Sequence, residues 1–413
     1  MKIIIFTYYF PPDNSVGVRR ITYWIDFLLQ KKINIILFTI SRDNVPSYYL
    51  NNEYLEIREV NFWNVRTKSK NSITNENIRT QTKDINPGYI NRFLKFIKVN
   101  VINKYFGQLF DPRFFYVIPI IIHFIKNKKI YTDVNAVLST APPIFVHFWA
   151  VIFKRVTNLP IILDYRDQFS NNPMFSSKFS YFERKLDKYL ITQSDVVLVV
   201  SDPIKQYYKK FNPKKISTIL NGYDERIFTK ETSLFKKKSY KTFTYVGSIV
   251  HESRIPNNFL KWLDTVDFDF KFYIYGNASL LQKYVTQNHS KISSNIIFKK
   301  GINYSKVPEI LRNSDFNLVF EEKNPTSESQ FGTIPTKVFE YIAVGVPIIS
   351  EMSEKVMAME LLTESKLLVH NFIDNNFNNL KIDTYKVNKD LQKKLSRENG
   401  AKKLLQIIID LND

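Results

Sequence analysis

The chain reads as an α/β protein of two doubly wound parallel-sheet domains facing a central cleft, and three observations predict this. Apolar, β-branched runs of strand length alternate with helical patterns along the whole sequence. Polar, chemistry-bearing residues follow several of these runs directly, at the carboxyl ends where open α/β sheets take ligands. At 413 residues the chain exceeds the usual size of one core, and a charged segment divides the pattern into two similar halves.

The first half opens with strands at Lys2 to Thr7 and Ile33 to Phe38, separated by a helical pattern from Arg19 to Gln30. The N-terminal apolar run is too brief for a signal peptide and reads as a first buried strand. Further strands are expected at Ala136 to Leu138, Ile161 to Leu163 and Val196 to Val200, with apolar helical stretches between, so this domain runs to residue 225. Asn64 to Asn86 is polar, has no apolar period, and reads as a loop. Ile90, Phe93, Leu94, Ile97 and Val101 then keep helical spacing beside Arg92, Lys95, Lys98 and Lys104. That basic amphipathic pattern suits either an anionic bilayer surface or packing on its own domain.

Lys230 to Lys241, with Lys236-Lys237-Lys238 inside it, reads as an exposed linker. Strands follow at Phe243 to Val246, Lys271 to Tyr275, Ile296 to Lys299, Phe316 to Phe320 and Val346 to Ser350, giving a second domain over 226–388. Asp390 to Leu411 carries helically spaced leucine and isoleucine, making 389–413 a terminal helix.

Composition narrows the classes. No cysteine is present, so disulfide and thiolate chemistry is excluded and a reducing cytoplasm fits. The longest apolar run, Phe114 to Ile125, is too short for the roughly 20 residues that span a bilayer. The formal charge of +20 favours phosphate-rich partners, or reflects compositional bias in a chain rich in Lys, Asn and Ile. No aromatic-basic or helix-turn-helix pattern accompanies it, so no nucleic acid is expected. The five histidines show no pair at metal-ligand spacing, and Asp267-Phe268-Asp269 precedes a predicted strand, so no metal is expected.

The most informative segment is Gly332-Thr333-Ile334-Pro335-Thr336-Lys337 through Glu340 to Gly345-Val346-Pro347. It reads as a loop opening a helix, with Pro335 in the first turn and Gly345 as a left-handed cap. The N–H groups at such a helix start favour a diphosphate, with Lys337 adding charge. Glu340, one turn on and on nearly the same face, offers a carboxylate to two ribose hydroxyls. Three other constellations follow strands: Gly17 with Arg19 and Arg20; Ser139 to Pro143 with Asp164 to Asp167; and Gly247-Ser248 with His251 and Arg254. Arg166 suits an acceptor phosphate and Asp167 the orientation or deprotonation of an acceptor hydroxyl, or the two brace a loop.

These motifs resemble the two-domain GT-B glycosyltransferases of family 4, particularly those making bacterial surface polysaccharides. Glu340 matches the second glutamate of the family's glutamate, seven residues, glutamate pattern, and Gly345-Val346-Pro347 matches its ending; Gly332 stands where the first glutamate is usual. The serine-x-proline-proline loop at Ser139 and the Asp-x-Arg-Asp motif ending at Asp167 are similar too, without the histidine many members carry near Arg166. The resemblance implies two Rossmann-like domains, the first binding acceptor and the second donor, with the terminal helix crossing back to the first. It further implies a nucleotide-diphosphate sugar as donor substrate, no cofactor, and a saccharide or polyprenyl-linked acceptor, with the enzyme cytoplasmic or peripheral on the inner membrane face. Catalysis falls to Asp167, Arg166, Arg254 and Lys337; donor binding to Gly17, Gly247, Ser248, His251, Gly301, Gly332, Thr333, Ile334, Lys337 and Glu340; acceptor binding to Arg19, Arg20, Ser139 and Arg166. A nucleotide-sugar 2-epimerase of the same architecture is the alternative enzyme class, and a basic scaffold or nucleic-acid-binding protein the non-enzymatic one.

Overall fold

The computed structural model describes residues 1–13, 15–40, 44–61, 64–68, 112–173, 180–229, 238–373 and 385–412. It contains two compact units, Met1–Leu220 with Ala401–Asp413, and Asn221–Gly400.

Among the described residues the first unit holds eight strands: β1 Lys2–Thr7, β2 Asn34–Ile40, β3 Leu55–Val60, β4 Val65–Thr67, β5 Ala136–Ala141, β6 Ile161–Tyr165, β7 Val196–Val199 and β8 Ile216–Thr218. They lie in the order β4-β3-β2-β1-β5-β6-β7-β8, and every pairing is parallel except β3 with β4. Successive strand residues point to opposite faces, and the core shows it. Ile4, Phe6, Val137 and Leu163 join one cluster with the Phe145–Thr157 and Ser180–Gln193 helices, while Ile3, Ile5, Leu138 and Ile162 join the other with the Val16–Gln30 helix. Both faces are therefore covered, which is why the strands read as continuous apolar runs.

Several boundaries differ from expectation. β5 and β6 run three and two residues further, through polar residues that turn out to be buried and bonded. Val65–Thr67, inside the expected loop, pairs antiparallel with β3, and Lys68 reaches back to Glu59 at 2.8 Å. The basic amphipathic pattern from Ile90 to Lys104 lies outside the described residues.

The second unit holds β9 Lys241–Val246, β10 Phe270–Tyr275, β11 Ile296–Lys299, β12 Phe316–Phe320, β13 Ile348–Glu351 and β14 Leu368–Asn371 in the order β11-β10-β9-β12-β13-β14, all parallel. Phe243, Tyr245, Phe272, Ile274, Leu318 and Phe320 pack against Phe259, Leu260 and Trp262 of the Asn257–Leu263 helix. The C-terminal pattern is two helices rather than one, Lys389–Lys394 and Arg397–Asp410. Ser396, between them, forms a bridge with Tyr223. Ala401, Leu404, Ile407 and Ile408 then enter the first unit's core beside Ile21 and Trp24. Among the described residues no helix is long and apolar enough to cross a membrane.

Each strand order reverses once, between β1 and β5 in the first unit and between β9 and β12 in the second. Beyond the carboxyl ends of strands flanking such a reversal, loops diverge and leave room for a ligand.

Candidate donor and acceptor sites

In the second unit the reversal gathers Gly247, Lys337 and Arg254. β9 ends at Val246, whose N–H donates to the Tyr341 hydroxyl at 3.0 Å, fastening the Thr336–Val344 helix to that strand end. Gly247 follows with φ +143°, a backbone conformation that disfavours side chains, and its N–H bonds Tyr275 of β10 at 2.9 Å. An added Cβ there would lie 3.4 Å from Lys337 Nζ, an ordinary contact, so it is the backbone conformation rather than space that calls for glycine beside the lysine.

Lys337 Nζ donates to the Tyr245 hydroxyl at 2.6 Å and lies 3.3 Å from Glu321 Oε1. Arg254 holds the other oxygen, with Nη2 2.8 Å from Glu321 Oε2. Glu321 is 6% exposed and directly follows β12. One buried carboxylate thus fixes two cations beside the start of a nine-residue helix, with its unpaired N–H groups. Burial opposes the charge on Lys337, but the Tyr245 hydroxyl and Glu321 outweigh it and raise the lysine above its ordinary value. The three charges sum to +1, an arrangement suited to receiving an anion.

Glu340 sits in the same helix, three residues beyond Lys337, and is 5% exposed. Gly345 caps that helix with φ +78° as expected. Gly332 departs from the expected open loop: it closes a short Glu328–Gly332 helix and is buried, as is Ile334, while Thr333 is exposed. Ser248 and His251 are exposed on the loop after β9, and Gly301 is exposed with nothing within 4 Å of an added Cβ.

The first unit's reversal is organised by arginines facing inward, which corrects two expectations. Arg20 does not present a free guanidinium to an acceptor. It is 4% exposed, donates to both oxygens of buried Asp164 at 2.8 and 3.3 Å, and bonds the Ile219 and Leu220 carbonyls at 2.8 and 2.9 Å. Arg166, 6% exposed, clamps the end of β5 to the start of the Val16–Gln30 helix by donating to the Ala141, Pro142 and Gly17 carbonyls. Gly17 is required for that clamp, since a Cβ would fall 2.8 Å from the guanidinium. Ser139 is likewise committed, its hydroxyl 2.8 Å from buried His147 Nδ1. Burial, with Arg166 nearby, lowers that histidine to about 3 and keeps it neutral.

Asp167 and Arg19 differ from these. The Asp167 side chain is exposed just beyond β6, next to Arg166. Arg19 is partly exposed on the Val16–Gln30 helix. Asp267 and Asp269 lie before β10, at the amino end of the sheet and away from the reversal. Among the described residues no three His, Asp or Glu side chains are grouped to hold a metal.

Glu321, Tyr245, Tyr341 and Gly276 were not assigned from sequence. Glu321 had a signal, an acidic residue immediately after a buried strand. Gly276 had little: with φ +136°, its added Cβ would lie 2.3 Å from the Gly247 carbonyl oxygen. Gly276→Ala is therefore expected to push the Gly247 loop away from Lys337, costing about 1–3 kcal/mol. Thermal melting of the variant checks this, and an unchanged transition would remove Gly276 as a support of the site.

A GT-B architecture is what two such sheets, each with ligand-facing loops at its reversal, define. Residues 254–406 match the family described as glycosyl transferase-like, and the chain is a glycosyltransferase. No curated protein matches its sequence. Solved structures match nearly the whole chain. Sucrose-phosphate synthase from Thermosynechococcus elongatus is 10% identical with TM-score 0.62, over 99% of this chain and 98% of that one. The lipopolysaccharide outer core galactosyltransferase WaaB is 13% identical with TM-score 0.60, over 99% of each chain. HepE of Anabaena in complex with UDP is 12% identical with TM-score 0.55, over 100% and 97%.

Proposed function

We propose that the chain transfers a sugar from a nucleoside-diphosphate sugar, held by the second unit, to a saccharide or polyprenyl-linked acceptor held by the first. The product belongs to a bacterial surface polysaccharide. The observation that carries the donor assignment is the placement of Lys337 and Arg254 on Glu321, beside Gly247 and the start of the Thr336–Val344 helix. Breaking the sugar–phosphate bond leaves a nucleoside diphosphate anion, and cations already fixed where that charge develops lower the barrier without reorganising. Glu340 takes the ribose hydroxyls. Transfer retains anomeric configuration, the departing phosphate assisting front-face attack, and exposed Asp167 orients the acceptor hydroxyl. HepE in complex with UDP supports uridine as the first base to test, and WaaB supports a surface-glycan acceptor.

Thermal melting with UDP, GDP and their sugars tests the donor site. One nucleotide is expected to raise the transition, and Glu340→Ala to weaken its binding by about 10- to 100-fold through loss of charged hydrogen bonds. The ligand-free melting temperature of the variant serves as the folding control. Equal nucleotide shifts in both proteins would remove Glu340 from the ribose. A new sugar nucleotide formed from the donor alone would mark an epimerase, whereas nucleotide release that requires acceptor supports transfer.

A further inference from the structure

The Val117–Lys126 helix has apolar side chains on two opposite sides. Ile120 and Phe124 face inward and are fully buried. A surface helix should then be polar outside. Here Ile118, Ile122 and Ile125, spaced to share one face, are 52%, 47% and 64% exposed. Phe115, in the 3-10 turn leading into the helix, is 62% exposed, and Ile130 follows at 41%. With ten residues the helix is about half the length that spans a bilayer. Five large apolar side chains in one stretch form a patch rather than scattered exposure.

Charge selects the occupant. Lys126, Lys128 and Lys129 are exposed beside this face, and no Asp or Glu occurs between Pro112 and Thr132. A second copy docked by a two-fold axis would bring the lysine clusters of both chains towards one another, which like-charge repulsion disfavours. An anionic headgroup layer over an apolar interior matches both features at once. We infer that this face rests on an anionic phospholipid bilayer surface, with Phe115, Ile118, Ile122 and Ile125 entering the headgroup–acyl boundary and the three lysines meeting lipid phosphates. The inference is independent of the donor site, because none of these residues takes part in nucleotide binding.

The test is co-sedimentation of the full chain with phosphatidylcholine vesicles, with and without phosphatidylglycerol, at low and high salt. The protein is expected to bind the vesicles containing phosphatidylglycerol and to lose affinity as salt rises. Ile118→Ser with Ile122→Ser, and separately Lys126→Gln with Lys128→Gln and Lys129→Gln, should each weaken binding by about tenfold or more while the lipid-free melting temperature is retained. Failure of the unaltered chain to bind would overturn the inference. So would full binding by the isoleucine variant, or a dimer in sedimentation velocity that this variant dissociates. If serine at these positions prevents folding, the lysine variant, whose altered side chains are exposed, decides the question.

Discussion

Lys337→Ala is expected to lower the turnover of sugar transfer by about 100- to 1,000-fold, the usual cost of removing one group that stabilises charge in the transition state. The lysine keeps its proton because the Tyr245 hydroxyl and Glu321 stabilise the ammonium more than burial opposes it. Its charge is therefore constant near neutral pH. Removing it leaves Glu321 paired with Arg254 alone, so the local sum falls from +1 to zero just where a diphosphate must depart. Steady-state kinetics with saturating acceptor separate the alternatives. A fall in kcat places Lys337 on the developing leaving-group charge, while a raised KM with unchanged kcat reduces it to a ground-state contact. Lys337→Arg keeps the charge but not the fit beside Gly247, and should recover part of the rate.

Arg20→Met is expected to destabilise the first unit by about 3–5 kcal/mol, because breaking one side of a buried ion pair strands the other charge. Asp164 is fully buried and, among the described residues, would keep one hydrogen-bond partner, the Thr140 hydroxyl at 2.8 Å. The change also removes the guanidinium 4.1 Å above the Trp24 ring. Two units need not unfold together, so urea unfolding is best followed by a probe in the first unit. Adding Asp164→Leu should restore much of the loss, since the uncompensated charge disappears. A shift below about 1 kcal/mol for Arg20→Met alone would show the pair to be dispensable.

Both effects bear on what the sequence could disclose. Strand cores such as Ile3 to Phe6 and Phe316 to Phe320 were legible because sheets covered on both faces demand uninterrupted apolar residues. Strand ends were not, because Ser139, Thr140 and Asp164 are polar yet buried, and their partners His147 and Arg20 become visible once the chain has folded. Arg20 and Asp164 are 144 positions apart, so no local pattern pairs them. β3 escapes a search for continuous apolar runs because Glu56 and Arg58 alternate with Leu55 and Ile57, and Glu59 then breaks even that alternation. On the donor side, Lys337 and Gly345 could be read from helix-end chemistry. Glu321 needed tertiary structure to show its importance, which lies in touching two cations from separate parts of the chain, Arg254 and Lys337.

The first unit's core is completed by Ala401, Leu404, Ile407 and Ile408, which the ribosome adds after all of the second unit. A nascent first unit therefore carries an uncovered strip beside Ile21 and Trp24 throughout the synthesis of residues 221 to 400. The first unit's core therefore closes only after the second unit has been synthesised, and a stop codon near residue 400 would leave the oldest part of the polypeptide unfinished.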